Sequence, residues 1–240
     1  MISIIKDIAN LLFPQYCICC GERLSKQEKH ICVSCLANLP RTNSHICREL
    51  PPEQLFWGKL PIERVVCFFF HESTNIKQII WDLKYNNHPN IGRYFARIYA
   101  KEIKDSGFFD GIDIIIPVPL SWRKLLKRGY NQCDYIAQGI SDETGIPIEK
   151  NAVRRVKHNV SQTNFDRQQR QENVENIFSL AHPELVRGKH ILIIDDVLTT
   201  GATICSLGNV ICNAGDVKIS VLTLALAGQL KGMPYTGTKN

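Results

Sequence analysis

Two adjacent carboxylates, Asp195 and Asp196, stand between an apolar run and a small, hydroxyl-rich turn. Residues 191–203 read Ile-Leu-Ile-Ile-Asp-Asp-Val-Leu-Thr-Thr-Gly-Ala-Thr. The turn is Leu198, Thr199, Thr200, Gly201, Ala202 and Thr203, and helical spacing begins directly after it. Backbone amides gathered at a helix start, on the positive end of its dipole, suit a phosphate. Gly201 omits a Cβ that would hinder close approach of the anion. The acids would repel that anion, but they suit neighbouring hydroxyls or a hydrated cation. A sugar phosphate with free hydroxyls meets both demands. The plainer alternative is a capped strand–helix junction with solvated acids. A cap does not need two acids followed by five small residues in this order.

A second group could hold a metal. Five of the ten cysteines fall between Cys17 and Cys35, four of them as Cys17-x-x-Cys20 and Cys32-x-x-Cys35. Two tight turns presenting four thiolates suit tetrahedral zinc, and a closed four-sulfur site is structural. Eleven residues separate the pairs, so the module must be compact. Cys19, His30, His45 and Cys47 are nearby alternative ligands. Disulfides or a redox pair are the rival readings. A reducing compartment disfavours the first, and a duplicate pair argues against the second. Cys67, Cys133, Cys205 and Cys212 sit among apolar neighbours and read as ordinary buried cysteines.

The elements that must position these groups form an α/β pattern. At 240 residues, 44% of them hydrophobic, the chain suits one α/β domain with a small appendage. The expected division is a helix and zinc module over 1–50, the main domain over 51–228, and a disordered tail over 229–240. Met1–Phe13 is apolar at helical spacing but too short and too charged to span a membrane. Without an export signal, the expected compartment is the cytoplasm. The net charge of +6 fits an anionic small molecule or a nucleic acid. Pro51 and Pro52 mark a linker. Val65–Phe70 and Ile112–Ile116 read as strands, and Ile191–Ile194 as one buried on both faces of a parallel sheet. A helix over Ile76–Leu83, with Ser73 or Thr74 as cap, ends in Lys84, expected as a surface lysine complementing the dipole, with a reach to the ligand as the lesser alternative. A second helix covers about Ile91–Ile103. Pro117 and Pro119 forbid an immediate helix after the second strand. Arg123, Lys124, Lys127 and Arg128 then follow, able to neutralise a diphosphate, grip a nucleic-acid backbone or face water. Another helix carries Tyr135, Ile136 and Ile140. Asn159–Asn176 is the most polar part of the core region, either a closing loop or a solvated helix. A helix carries Ile204, Leu207, Val210 and Ile211, and a last strand runs over Val217–Ala227.

The 195–203 motif resembles the phosphoribosyl-pyrophosphate (PRPP) signature of type I phosphoribosyltransferases. The resemblance assigns Asp195 and Asp196 to the ribose hydroxyls and Leu198–Thr203 to the 5′-phosphate. Some purine enzymes of that class carry an acid where Thr199 stands, so this threonine argues against a 6-oxopurine acceptor. More of the chain is similar to the ComF/GntX family of competence-associated phosphoribosyltransferase-like proteins. The likeness includes Leu11-Leu12-Phe13-Pro14 with the cysteine pairs, Leu83-Lys84-Tyr85, Pro117-Val118-Pro119-Leu120, Arg128-Gly129-Tyr130-Asn131-Gln132, and Gln162-Thr163 with Arg167, Arg170 and Asn173. It implies a phosphoribosyltransferase-type parallel sheet flanked by helices, with a small N-terminal zinc module. It implies PRPP with Mg²⁺, a diphosphate held by Val118, Pro119, Leu120, Arg123 and Arg128, and a mobile loop carrying Gln162, Arg167 and Arg170. It also implies a role in natural transformation, with single-stranded DNA and a competence helicase as associated components. A phosphoribosyltransferase of unknown acceptor, a PRPP sensor without turnover, and a DNA-binding competence factor using the Arg123–Arg128 run with Arg154 and Arg155 all remain open.

Overall fold

The computed structural model describes residues 14–46, 52–156 and 177–228. The expected first helix, Cys47, Pro51, the polar stretch 159–176 and the tail from 229 lie outside them.

The cysteine module comes first, with one short helix, α1 (Val33–Ala37). A 3-10 turn over Pro52–Phe56 follows. Then come β1 (Arg64–Phe70), α2 (Thr74–Tyr85) and α3 (Asn90–Ile103). Next are β2 (Ile114–Pro117), α4 (Trp122–Arg128) and α5 (Gln132–Thr144). A two-stranded antiparallel ribbon, β3 (Val153–Arg155) with β4 (Phe178–Leu180), flanks residues 157–176. The chain returns through β5 (His190–Leu198), α6 (Ala202–Cys212) and β6 (Lys218–Leu226).

The main sheet is parallel, in the order β1-β6-β5-β2. Both faces are covered, so Ile191–Ile194 are all buried, as an unalternating apolar run requires. Leu192 and Ile194 pack with α2, α3 and α5, while Ile191 and Ile193 pack with α6 and the ribbon. Alternation along β5 therefore sends Asp195 and Asp196 to opposite faces of the sheet.

Three local features depart from expectation. Pro52 opens no free linker: Pro52 and Phe56 are buried, and the turn is packed. The cation run is helical, because α4 starts at Trp122, beyond the reach of the Pro119 restriction. Ser73 stands at the α2 N-cap, but its side chain makes no capping bond.

The cysteine module is packed on the main core. Cys17, Ile31, Cys32 and Leu39 share a buried cluster with Phe68, Phe69 and Tyr99. β1 is an edge strand, and the segment leaving the module pairs with its outer side. Thr42 N donates to Phe68 O at 3.0 Å, and Phe70 N donates to Pro40 O at 2.9 Å. Arg41 adds an ion pair to Glu102 at 2.8 Å and lies over the rings of Phe68 and Phe69. A sheet edge that would otherwise be open is thereby closed.

Candidate functional site

The acid pair sits where β5 outruns its neighbour. β2 ends at Pro117, opposite Ile194, while β6 stays paired with β5 as far as Leu198. The gap beyond β2 is filled by the first residues of α5. Gln132 Nε2 donates to Asp196 Oδ2 at 2.7 Å, and Cys133 Sγ donates to Asp195 Oδ1 at 3.5 Å. One helix start thus reaches both carboxylates. Two features place it there. Asn131 caps the helix, accepting from Cys133 N and donating to Val118 O at 3.1 Å. Gly139 lets α5 lie against α3, since a Cβ there would come within 2.4 Å of Arg93 O.

Lys84 belongs to this site and not to the surface. Its Nζ lies 3.1 Å from Asp196 Oδ2. A signal for this was present in the sequence, because Lys84 continues the i, i+4 stripe of buried Ile76 and Ile80. The turn before α5 holds the end of α2 in place. Tyr130 donates its hydroxyl to Leu83 O at 2.7 Å, and the Arg128 guanidinium lies 5.0 Å over the Tyr85 ring. This contact is the physical link between the Leu83-Lys84-Tyr85 and Arg128–Gln132 motifs. Arg128 Nη1 also donates to Gln132 Oε1 at 2.8 Å. A cavity of about 500 Å³ opens on this side, with Lys84, Lys127 and Arg128 in its wall.

Electrostatics differ across the pair. Burial, then the charge of Asp196, pushes Asp195 up to about 7. The same burial, with both aspartates nearby, holds the Cys133 thiol well above its ordinary value, so it stays a donor. Cys133 is therefore no ordinary core cysteine. Cys205 and Cys212 are only half-buried. Because the folded-state pKa of Asp195 exceeds 3.8, its contribution favours folding below that value and is lost as pH rises through about 7. Asp195→Asn removes this dependence. Its unfolding free energy relative to wild type, from denaturant titration, is expected to rise between pH 5 and pH 8 by an amount on the order of 1–3 kcal/mol given partial exposure. Parallel curves for the two proteins would contradict the assignment.

The turn after β5 leads directly into α6, which begins at Ala202. Leu198 is buried at the end of β5, while Thr199 and Thr200 are exposed. Ala202 is also exposed, and Thr203 is half-buried. No side chain of the N-cap residue bonds the first turn of α6, although Thr200 Oγ1 accepts from Ala202 N at 3.4 Å. Gly201 has a second role beyond the one expected of it. Its φ is +76°, and a Cβ would meet Phe56 Cε1 at 2.8 Å. The missing side chain makes room for the 3-10 turn behind the loop.

The remaining expected residues divide. Val118 is buried, its N–H donating to Ile194 O, with Pro119 and Leu120 half-buried beside it. Arg128 is linked to Asp196 through Gln132, whereas Arg123 is exposed on α4 beside Trp122. Gln162, Arg167 and Arg170 lie outside the described residues. Arg155 lies over the Phe178 ring and donates to Pro119 O at 3.4 Å, while Arg154 is exposed.

The metal-type cluster forms as its spacing predicts. The sulfurs of Cys17, Cys20, Cys32 and Cys35 all lie within 4.8 Å of one another, and those of Cys20 and Cys32 are 3.8 Å apart. Zn–S bonds of ~2.3 Å in a tetrahedron give an S···S edge of ~3.8 Å, so the set fits zinc. Burial opposes ionisation of Cys17, but backbone donors and a neighbouring thiol prevail and lower it to about 6. Cys19 is pushed up to about 12 by burial and by the surrounding sulfurs, which suits a bystander. His30 packs edge-on to Tyr94, and His45 edge-on to Tyr99.

Comparison with known proteins agrees with both parts. Residues 83–240 match the phosphoribosyl transferase domain, and residues 8–52 match a double zinc ribbon domain. Competence protein F of Haemophilus influenzae is 31% identical over 219 residues, covering 90% of this chain and 86% of its own. DNA utilization protein YhgH of Shigella flexneri is 29% identical, covering 87% of this chain and 88% of its own. Competence protein ComFC of Bacillus subtilis is 23% identical, covering 81% and 77%. With a domain match across most of its length and such a relative across nine-tenths of it, this chain belongs to the ComF family of phosphoribosyl transferase domain proteins with an N-terminal zinc ribbon.

Proposed function

We propose that the protein binds PRPP at the rim of β5 and acts in the handling of incoming DNA. The observation that carries this reading is the succession of two carboxylates and an amide-rich turn at one β5–α6 junction, with Lys84 on Asp196 and Arg128 linked to it through Gln132. The turn from Leu198 to Thr203 takes the 5′-phosphate, and Asp195 and Asp196 take the ribose hydroxyls. Lys84, Lys127 and Arg128 face the diphosphate and stabilise the negative charge that grows on it as it leaves. Mg²⁺, a hard cation suited to carboxylate and phosphate oxygens, supplies further neutralisation when bound with PRPP. The chain's own contribution is positioning and fixed charge around the anomeric carbon. Titration calorimetry with PRPP, with and without Mg²⁺, tests the reading. Pyrophosphate release with bases, amines and nucleic acids separates a transferase from a sensor.

A nucleic-acid surface is favoured by a separate observation. Trp81 and Tyr85 are exposed and in ring contact on α2, with Arg128 over the Tyr85 ring, and Trp122 is exposed on α4 with Arg123 over its ring. Exposed rings interleaved with cations suit stacked, unpaired bases. This agrees with relatives named for competence and DNA utilization. Trp122→Ala with Arg123→Ala is expected to weaken single-stranded DNA binding about tenfold and to flatten its salt dependence, as fluorescence anisotropy would read. PRPP affinity should not change. Unaltered DNA binding would remove this surface from the account. The cytoplasm is the compartment consistent with PRPP as ligand. No described helix is long and apolar enough to cross a membrane.

A further inference from the structure

We infer that Gln132 is a positioning residue linking the two halves of the site, so that an anion drawn to Lys84 and Arg128 opens Asp196 to a sugar hydroxyl. The inference rests on the reading above that this site takes PRPP.

Gln132 is 5% exposed, and both ends of its amide are engaged. Oε1 accepts from Arg128 Nη1 at 2.8 Å, and Nε2 donates to Asp196 Oδ2 at 2.7 Å. A guanidinium can only donate and an ionised carboxylate can only accept, so this orientation of the amide is the one that satisfies both neighbours. The same Asp196 oxygen also faces Lys84 Nζ at 3.1 Å. In the free protein, then, this buried carboxylate is held closed by one cation directly and tied to a second through an amide.

The two cations share a further property. Lys84 and Arg128 both line the cavity of about 500 Å³. A diphosphate entering it offers charge-assisted hydrogen bonds to each. As Lys84 turns to that anion, Asp196 Oδ2 loses its ion-pair partner and gains room for a hydroxyl donor. As Arg128 turns, the Gln132 amide is released from its outer anchor and adjusts with Asp196. A sugar phosphate without a diphosphate meets the closed arrangement. Two anions in one site should otherwise repel, so positive coupling between them is a distinctive expectation. The coupling is reciprocal, since linkage requires each ligand to favour the other by the same factor.

The test uses ribose 5-phosphate and pyrophosphate as separate probes, with Mg²⁺ present, on the full-length protein. In wild type, saturating pyrophosphate is expected to raise ribose 5-phosphate affinity by at least about fivefold, the lower end of common coupling factors. In Gln132→Met, which cannot donate to Asp196, the factor should fall at least about twofold, to what the direct Lys84–Asp196 contact carries. A merely structural role would weaken both ligands and leave their ratio intact. A wild-type factor of one or below overturns the inference without needing any variant, and so does an undiminished factor in folded Gln132→Met. If wild type binds PRPP but shows no coupling, only this inference fails. If it binds neither PRPP nor pyrophosphate, the site reading fails with it.

Discussion

Replacing Cys32 and Cys35 together by serine is expected to empty the metal site and lower the thermal midpoint of the whole chain by about 10 °C. Two effects combine at these positions. The pair supplies half of the four-sulfur cluster, and Cys32 also caps α1, its sulfur accepting from Cys35 N at 3.4 Å. Zinc binding contributes ~10–16 kcal/mol to the folding of small zinc modules, most of it offset by the ordering of a chain with little core of its own. Loss of even ~3 kcal/mol lowers the midpoint of a chain this size by roughly 6–12 °C. The damage does not stay local, because the module covers the outer edge of β1. Once residues 40–42 detach, Phe68 O and Phe70 N lose their partners and an apolar edge strand is open to other chains. Aggregation should therefore accompany melting. Elemental analysis measures the metal, and calorimetry with light scattering measures the rest. A variant without zinc that melts with wild type would show that the cluster is not a structural centre.

Wherever one residue and its near neighbours set the outcome, the fold was legible in the sequence. The run Ile191–Ile194 matched a strand covered on both faces, and the four cysteine positions could bring their sulfurs together through two tight turns. What stayed hidden depended on partners far along the chain. Gln132 and Asp196 are 64 residues apart, and nothing near either announces the other. Lys84 was hidden because charge argued for the surface, while its place on the buried stripe of α2 argued for the interior. The stripe prevailed because Asp196 was there to receive the ammonium. Cys133 looked like core because it is core, and its proximity to Asp195 follows from where β2 stops. The ribbon of β3 and β4 has three residues per strand, too few for a period to show. The second role of Gly201 depends on Phe56, a contact invisible until the 3-10 turn is seen packed behind the loop.

Asp195→Asn with Asp196→Asn is expected to weaken PRPP binding at least about 100-fold while leaving the fold in place. Hydrogen bonds to charged acceptors are worth ~1.5–3 kcal/mol each, so two of them account for roughly 3–6 kcal/mol, and 100-fold is about 2.7 kcal/mol. The stability of the double variant is set by opposing changes. Neutralising Asp195 relieves a carboxylate that is costly to ionise beside its neighbour. Neutralising Asp196 leaves the Lys84 ammonium, largely buried, without its counter-charge. The amides can still accept from Gln132 and Cys133, so the packing of α5 on β5 is retained. Should the unpaired lysine unsettle the fold, Asp195→Asn alone, which leaves the Lys84–Asp196 pair intact, carries the test at half the expected energy. Far-ultraviolet circular dichroism checks the fold, and calorimetry with PRPP and Mg²⁺ checks the ligand. Full affinity in a folded double variant would place PRPP elsewhere on the molecule. The β5 rim would then lose its ligand, while the zinc module and the exposed aromatic surface on α2 and α4 would stand unaffected, since neither draws on the acid pair.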